Sequence, residues 1–144
     1  MTLWNHKDEH IDDQMAMLQA NLDDMNPEFC EYIMDLLFES GAHDVYWIPI
    51  TMKKGRPGIM LNVLYEQKDR SIMEDIIFKQ TTTLGIRYWP VSCHRLGRRY
   101  KEVDTTWGKV RIKEGVYNGE VVQYAPEYEE CRAIAREAGI PLKD

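Results

Sequence analysis

The segment DVYWIPITMKKGRPGIMLNVLYE, Asp44 to Glu66, decides how the chain is read. Asp44 to Met52 is β-branched and aromatic, which suits a strand, and Pro49, having no N–H, places that strand at a sheet edge or a bulge. KKGRPG, Lys53 to Gly58, is a turn by composition. IMLNVLYE then returns as a second strand, so the segment predicts a β-hairpin.

Helical patterns flank the hairpin on both sides. Upstream, residues 27–40 place Phe29, Ile33, Leu36, Leu37 and Ser40 at helical spacing. Asn26 is a good N-cap, Pro27 suits the first helical position, and Glu28 favours the positive end of the helix dipole. Gly41 closes the helix. Downstream, residues 68–80 predict a helix with Ile72, Met73, Ile76 and Ile77 inward, capped by Asp69 or by Ser71 in a box with Glu74. A strand from Met15 to Leu22 precedes the first helix, and LGIRYWPVSCHRL follows the second. The class is therefore α+β, and the order strand, helix, strand, strand, helix, strand is the split βαβ (βαββαβ) of ferredoxin-like folds. Both helices cover one sheet face, leaving the other for solvent or a partner.

Residues 98–144 have a different texture. KEVDTTWGKVRIKEG reads as two short strands about a turn near Trp107–Gly108, and Asn118-Gly119 within VYNGEVVQY is a strong hairpin signal. Pro126 is expected to open a last helix with Tyr128, Cys131, Ala135 and Ala138 on one face, and Gly139 to end it. The expected organisation is a polar tail at 1–13, a ferredoxin-like domain at 14–97, and a small β-hairpin plus helix appendage at 98–144. About 45 residues are too few for a comfortable independent core.

With 44% hydrophobic and 29% charged residues the chain is ordinary for a globular protein. No run approaches the ~18 apolar residues of a membrane span. The first residues lack the basic-then-apolar order of a signal peptide, so the expectation is a cytoplasmic protein with no membrane contact. Three separated cysteines and four scattered histidines provide neither disulfide pairs nor zinc spacing. Cys30 and Cys131 fall on apolar helix faces as buried thiols, and His6/His10 is read as solvated tail. The net charge of −6 is uneven. Residues 1–44 carry eleven Asp/Glu and one Lys, a net of −10, whereas residues 45–113 carry fourteen Lys/Arg and six Asp/Glu, a net of +8. The acidic total argues against a general nucleic-acid coat, while the basic middle permits a local polyanion site.

Three stretches hold more polar function than their place in the fold requires. Asn21-Leu22-Asp23-Asp24 ends the first strand. Its aspartates either support the turn or act as hard oxygen donors for Mg²⁺ or Mn²⁺ held jointly by phosphate. MKKGRPG sets Lys53, Lys54 and Arg56 beside two glycines. That composition suits either phosphate contact or an exposed hairpin tip. QTTTLGIR, Gln80 to Arg87, is an ordinary helix-to-strand connection, or a place where Thr81, Thr82, Thr83 and Arg87 hold an anion or a ribose. No nucleophile–base arrangement is visible, so no catalytic residue is assigned. The alternation Lys109/Arg111/Lys113 reads as solvated strand.

These stretches carry a resemblance. NLDDMNPEFCEYIMDLLFESGAHDVYWIPITMKKGRPGIMLNVL, QTTTLGIR and VVQYAPEYEECRAIAREAGIPLK closely resemble the C-terminal domain of the LarC family, over roughly Met15 to Lys143. That family inserts nickel into the pyridinium bisthiocarboxylate mononucleotide (nickel-pincer) cofactor of lactate racemase. The resemblance implies a CTP-dependent cyclometallase whose C-terminal domain binds CTP with Mn²⁺ or Mg²⁺, with Ni²⁺ as the substrate metal and CMP and diphosphate as products. It further implies a homo-oligomer built from trimers, and a histidine-rich N-terminal domain as partner. On the matching positions, Asp23 and Asp24 would hold the phosphate-bound metal. Asn21, Lys53, Lys54, Arg56, Thr81, Thr82, Thr83 and Arg87 would hold the nucleotide, with Glu127 and Tyr128 as neighbours. No cluster of soft ligands for nickel is visible. The competing readings are a non-catalytic oligomerisation module of the same fold and an RNA-binding module. The second is opposed by the net charge and by the missing aromatic pattern on the central strands.

Overall fold

The structure, a computed structural model, describes residues 7–144. His6 of the His6/His10 pair lies outside the described residues. The chain divides into two compact units, one spanning Asp12–Cys93 and one comprising residues 7–11 with 94–144.

The first unit is built as the hairpin predicts. β1 (His10–Leu22), α1 (Cys30–Glu39), β2 (Asp44–Thr51), β3 (Pro57–Glu66), α2 (Arg70–Gln80) and β4 (Arg87–Arg95) follow in that order, and the sheet order is β2-β3-β1-β4. This is the ferredoxin-like arrangement. Register explains the burial. Val63 on β3 faces Leu18 on β1 and Val45 on β2, while Leu61 faces Ala20 and Trp47. Because side chains alternate along a strand, these residues share one face. They form a single core with Ile33 and Leu37 of α1 and Met73 and Ile77 of α2. Each such large apolar side chain contributes roughly 1.5–3 kcal/mol by leaving water.

Local signals set the helix ends. The Asn26 side chain accepts from Glu28 N at 3.0 Å, and Gly41 has φ +105°. The helical segment begins as a 3₁₀ turn at Pro27–Phe29 before α1 proper. Several expectations shift. β1 starts at His10, five residues before the apolar pattern does, since backbone pairing does not need apolar side chains. Phe29 and Ile72 are exposed rather than inward. Neither expected cap forms: Asp69 stands at the N-cap position of α2 without a side-chain cap bond, and Glu74 of the Ser71/Glu74 box sits 3.6 Å from Arg70 instead.

The second unit is a meander, β5 (Gly97–Thr105), β6 (Gly108–Tyr117) and β7 (Glu120–Pro126), followed by α3 (Tyr128–Ala138). The turns at Trp107–Gly108 and Asn118–Gly119 join the strands as expected, with Asn118 at φ +49° and Gly119 at φ +78°. Pro126 does not open α3. It ends β7 opposite Ile112, and Glu127 takes the N-cap position. Gly139 closes α3 in the left-handed region at φ +66°.

Candidate functional site

Three chain segments meet at one end of the first unit. β1 ends at Leu22, opposite Ile59 just inside the β2–β3 hairpin, and β4 begins at Arg87 beside Asn21. The segment after β1, the hairpin tip and the α2–β4 connection therefore share an edge of the sheet. Whether the loops after β1 and α2 approach one another depends on the register, which no local sequence signal sets. They do approach: Thr82 Oγ1 donates to Asp24 Oδ1 at 2.5 Å. Arg56 Nη1 lies 3.6 Å from Asp23 Oδ2. The Arg87 guanidinium donates to Asn21 Oδ1 at 3.2 Å and to Gln19 Oε1 at 3.1 Å.

The hairpin tip has an unusual backbone. Lys54 at φ +62° is followed by Gly55 at φ +71°, and Met52 N donates to Arg56 O at 2.7 Å. A left-handed lysine costs on the order of 1–2 kcal/mol. Both lysine side chains are exposed. Gly58 is required by the close approach of the hairpin to β1. A Cβ there would stand 2.7 Å from Leu22 O and 2.6 Å from Met52 Sδ. The glycine lets the hairpin cross close to the end of β1, which brings Arg56 to Asp23.

The threonines divide their work. Thr81 Oγ1 donates to Ile77 O at 2.7 Å, and Thr83 Oγ1 donates to Gly85 O at 2.7 Å, so both shape the loop. Thr82 alone of the three directs its hydroxyl to a site carboxylate. Sequence reasoning missed Gln19 and Asn62, whose side chains bond at 2.8 Å on the face opposite the helices and extend the Arg87 network across β1 to β3. The available signal was alternation, since Gln19 and Asn21 share a strand face. Asn62, only 1% exposed, also donates to Met60 O.

The candidate residues of the first unit include four cations (Lys53, Lys54, Arg56 and Arg87) against two carboxylates, a sign that suits an anion. The Arg56–Asp23 ion pair is exposed on the arginine side. It is worth at most about 1 kcal/mol, weak enough to be exchanged for a ligand. Among the described residues no group of three or more His, Cys, Asp or Glu is placed to hold a metal by itself. Two adjacent carboxylates fit a hard divalent ion that takes its other ligands from phosphate and water.

Glu127 and Tyr128 belong to the second unit. Glu127 N donates to Arg111 O at 2.9 Å and its carboxylate lies 3.8 Å from Lys113, while Tyr128 is exposed. The basic alternation on β6 is matched by acids: Lys109 with Glu102, Arg111 with Glu130 and Lys113 with Glu127. The Glu130 carboxyl is held below its ordinary range, first by the Arg111 backbone N–H and then by the Arg111 side chain. No described helix is long and apolar enough to cross a membrane.

Known proteins resemble this chain in both sequence and fold. A family profile described as "Nickel insertion protein" matches residues 1–144. The pyridinium-3,5-bisthiocarboxylic acid mononucleotide nickel insertion protein of Acetivibrio thermocellus is 47% identical over 134 residues, covering 93% of this chain and 33% of that protein. The protein of the same name from Clostridium kluyveri is 46% identical over 136 residues, covering 94% and 34%. The chain thus spans about a third of the length of these curated relatives. Among solved structures, LarC2 in its apo form superimposes with a TM-score of 0.85 at 34% identity, covering 94% of this chain and 91% of that one. It is described as the C-terminal domain of a cyclometallase involved in the synthesis of the NPN cofactor of lactate racemase.

Proposed function

Because the chain belongs to the nickel insertion protein family and corresponds to its LarC2-type C-terminal domain, we propose that it binds CTP with Mn²⁺ or Mg²⁺ in a nickel insertase. In this reading Ni²⁺ is the substrate metal, and pyridinium-3,5-bisthiocarboxylic acid mononucleotide receives it. CTP is hydrolysed to CMP and diphosphate, and a further N-terminal domain is the working partner. The observation that carries the reading is the meeting of Asp23, Asp24, Arg56, Thr82, Asn21 and Arg87 at one sheet edge.

Asp23 and Asp24 would hold the divalent ion, which would supply positive charge against the triphosphate. Lys53, Lys54 and Arg56 take the phosphates, the lysines as mobile point charges and Arg56 through its fork. Arg56 leaves Asp23 as it does so, which frees that carboxylate for the ion. Thr82 keeps Asp24 oriented. Arg87 is already oriented by Gln19 and Asn21, and presents its remaining N–H groups to ribose or phosphate.

A homo-oligomer built from trimers belongs to the same reading. It is supported by the sheet face opposite the helices, where Tyr46, Ile48 and Trp89 are exposed. Sedimentation at several concentrations tests it.

The main test is calorimetric titration of CTP with and without Mn²⁺, beside ATP and a single-stranded oligonucleotide. Metal-dependent binding that prefers CTP is expected. Its absence sinks the proposal, and tight oligonucleotide binding favours the RNA-binding alternative. Asp23→Asn should weaken metal-dependent CTP binding by about 1.5–3 kcal/mol, the worth of one charge-assisted contact.

A further inference from the structure

Arg87 differs from the other two arginines of the first unit in what holds it. Arg56 and Arg70 lie against the carboxylates of Asp23 and Glu74. The Arg87 guanidinium is held by neutral amides instead, through Nε to Gln19 Oε1 at 3.1 Å and through Nη2 to Asn21 Oδ1 at 3.2 Å. Amide oxygens fix the plane of the guanidinium and leave its positive charge uncancelled. The arrangement has one requirement, that the oxygen end of each amide faces the arginine. An amide turned end for end would set its NH₂ group against a guanidinium that can only donate.

For Gln19 the choice of end is made one strand away. Gln19 on β1 and Asn62 on β3 are directly opposed, and Gln19 Nε2 donates to Asn62 Oδ1 at 2.8 Å. Asn62 in turn donates through Nδ2 to Met60 O at 3.2 Å. A backbone carbonyl only accepts, so it dictates which end of the Asn62 amide it meets. The direction of the whole chain, from Arg87 through Gln19 and Asn62 to Met60 O, is thereby set from its buried end. Asparagine is a poor strand former. Yet Asn62 is 1% exposed, the one buried side chain of a polar or charged type among the described residues. Packing alone does not call for an amide there, since burying one costs about as much as its hydrogen bonds return.

We propose that Asn62 is a positioning residue for anion binding: by fixing the Gln19 amide it holds the Arg87 guanidinium in one orientation with its charge available. The inference rests on the reading that Arg87 contacts the nucleotide, and it adds how that long side chain is ordered before the ligand arrives. Immobilising such a side chain on binding costs affinity, and holding it beforehand avoids that loss.

The test reads Arg87 directly, by NMR of its Nε–H group in the ligand-free full chain, with Arg87→Lys identifying the resonance. In Asn62→Leu that resonance should move toward the position of a free arginine and exchange faster with water. Asn62→Val, smaller and β-branched, repeats the measurement where leucine does not fold. Metal-dependent CTP binding should weaken about two- to ten-fold in either variant. Adding Gln19→Glu to Asn62→Leu separates orientation from charge, because a carboxylate accepts from Arg87 whichever way it turns. The double variant should recover the held Arg87 resonance without recovering affinity, since the new acid cancels the charge. An Arg87 resonance unchanged by loss of the Asn62 amide would overturn the proposal. So would undiminished CTP binding in a variant whose Arg87 has come loose. Titration of the unsubstituted chain reads the nucleotide assignment separately. Absence of CTP binding there, with Arg87 loosened by Asn62→Leu, would fail that assignment and still support the hold of Asn62 on Arg87.

Discussion

The two units reach order by different means. In the first, a helix layer closes over a sheet, and a dozen buried side chains from β1, β2, β3, α1, α2 and the turn before β2 form one core. In the second, α3 has no fully buried residue, and the unit is held largely by turns, backbone pairing and charge. Glu9 is one such polar tie, since its carboxylate accepts from Asn118 N at 2.8 Å and lies 2.6 Å from His94 Nε2. Glu130 does the same work between α3 and β6, accepting from both Arg111 N and Nε at 2.6 Å. A well-packed scaffold supports polar loops at fixed spacing, whereas a thinly packed one keeps an apolar cavity open.

The contrast is sharpest at the core. Leu61→Ala, at a fully buried position, should cost about 2–5 kcal/mol in denaturant unfolding. Ile134→Ala, on the half-buried face of α3, should cost well under half of that. Similar costs would mean that the second unit is packed as tightly as the first. Gly58→Val comes next, because its side chain collides with the Leu22 carbonyl. Overpacking of that kind should cost about 1–3 kcal/mol. The same change should weaken CTP binding by displacing the hairpin tip that carries Lys53, Lys54 and Arg56. Stability lost with binding intact would separate the hairpin from the site. In the second unit, Gly139 has a left-handed backbone that disfavours a Cβ. Gly139→Ala should therefore cost about 1 kcal/mol, read by thermal melting.

The smallest effect concerns acid. Both Glu9 and Glu130 titrate below the ordinary carboxyl value of 4.5 in the folded protein. For Glu9 the cause is first the Asn118 backbone N–H and then His94; for Glu130 it is the Arg111 backbone and side chain. A depressed folded pKa means that the stabilisation is present above the unfolded value and is lost as pH falls through the lowered one. Melting temperature should therefore fall below about pH 4.5, and Glu9→Gln with Glu130→Gln should flatten that part of the profile. A profile unchanged in the double variant would remove these carboxylates from the account.

Much of the fold was legible because its signals are local. The hairpin between two helices announced the split βαβ order, and Asn118-Gly119 and Gly139 marked their turns through backbone angles that few other residues adopt. Where local reading misplaced an element, a longer-range contact had won. Pro126 resembles a helix opener, but pairing with β6 keeps it in β7. Ser71 and Glu74 look like a capping box, but Arg70 takes the glutamate.

The candidate site divides along the same line. By itself the sequence determined the kinds of group present: two carboxylates after the first strand, three cations at a hairpin tip, and a threonine run before an arginine. Those are properties of composition and nearest neighbours. Only the tertiary structure decided which of them meet. Asp24 and Thr82 are 58 positions apart, and Arg87 reaches Asn21 across 66. Both contacts depend on the pairing of β1 with β3 and on the β2-β3-β1-β4 strand order. A slip of one residue along β1 would turn Asn21 and Gln19 to the opposite face, because side chains alternate with a period of two.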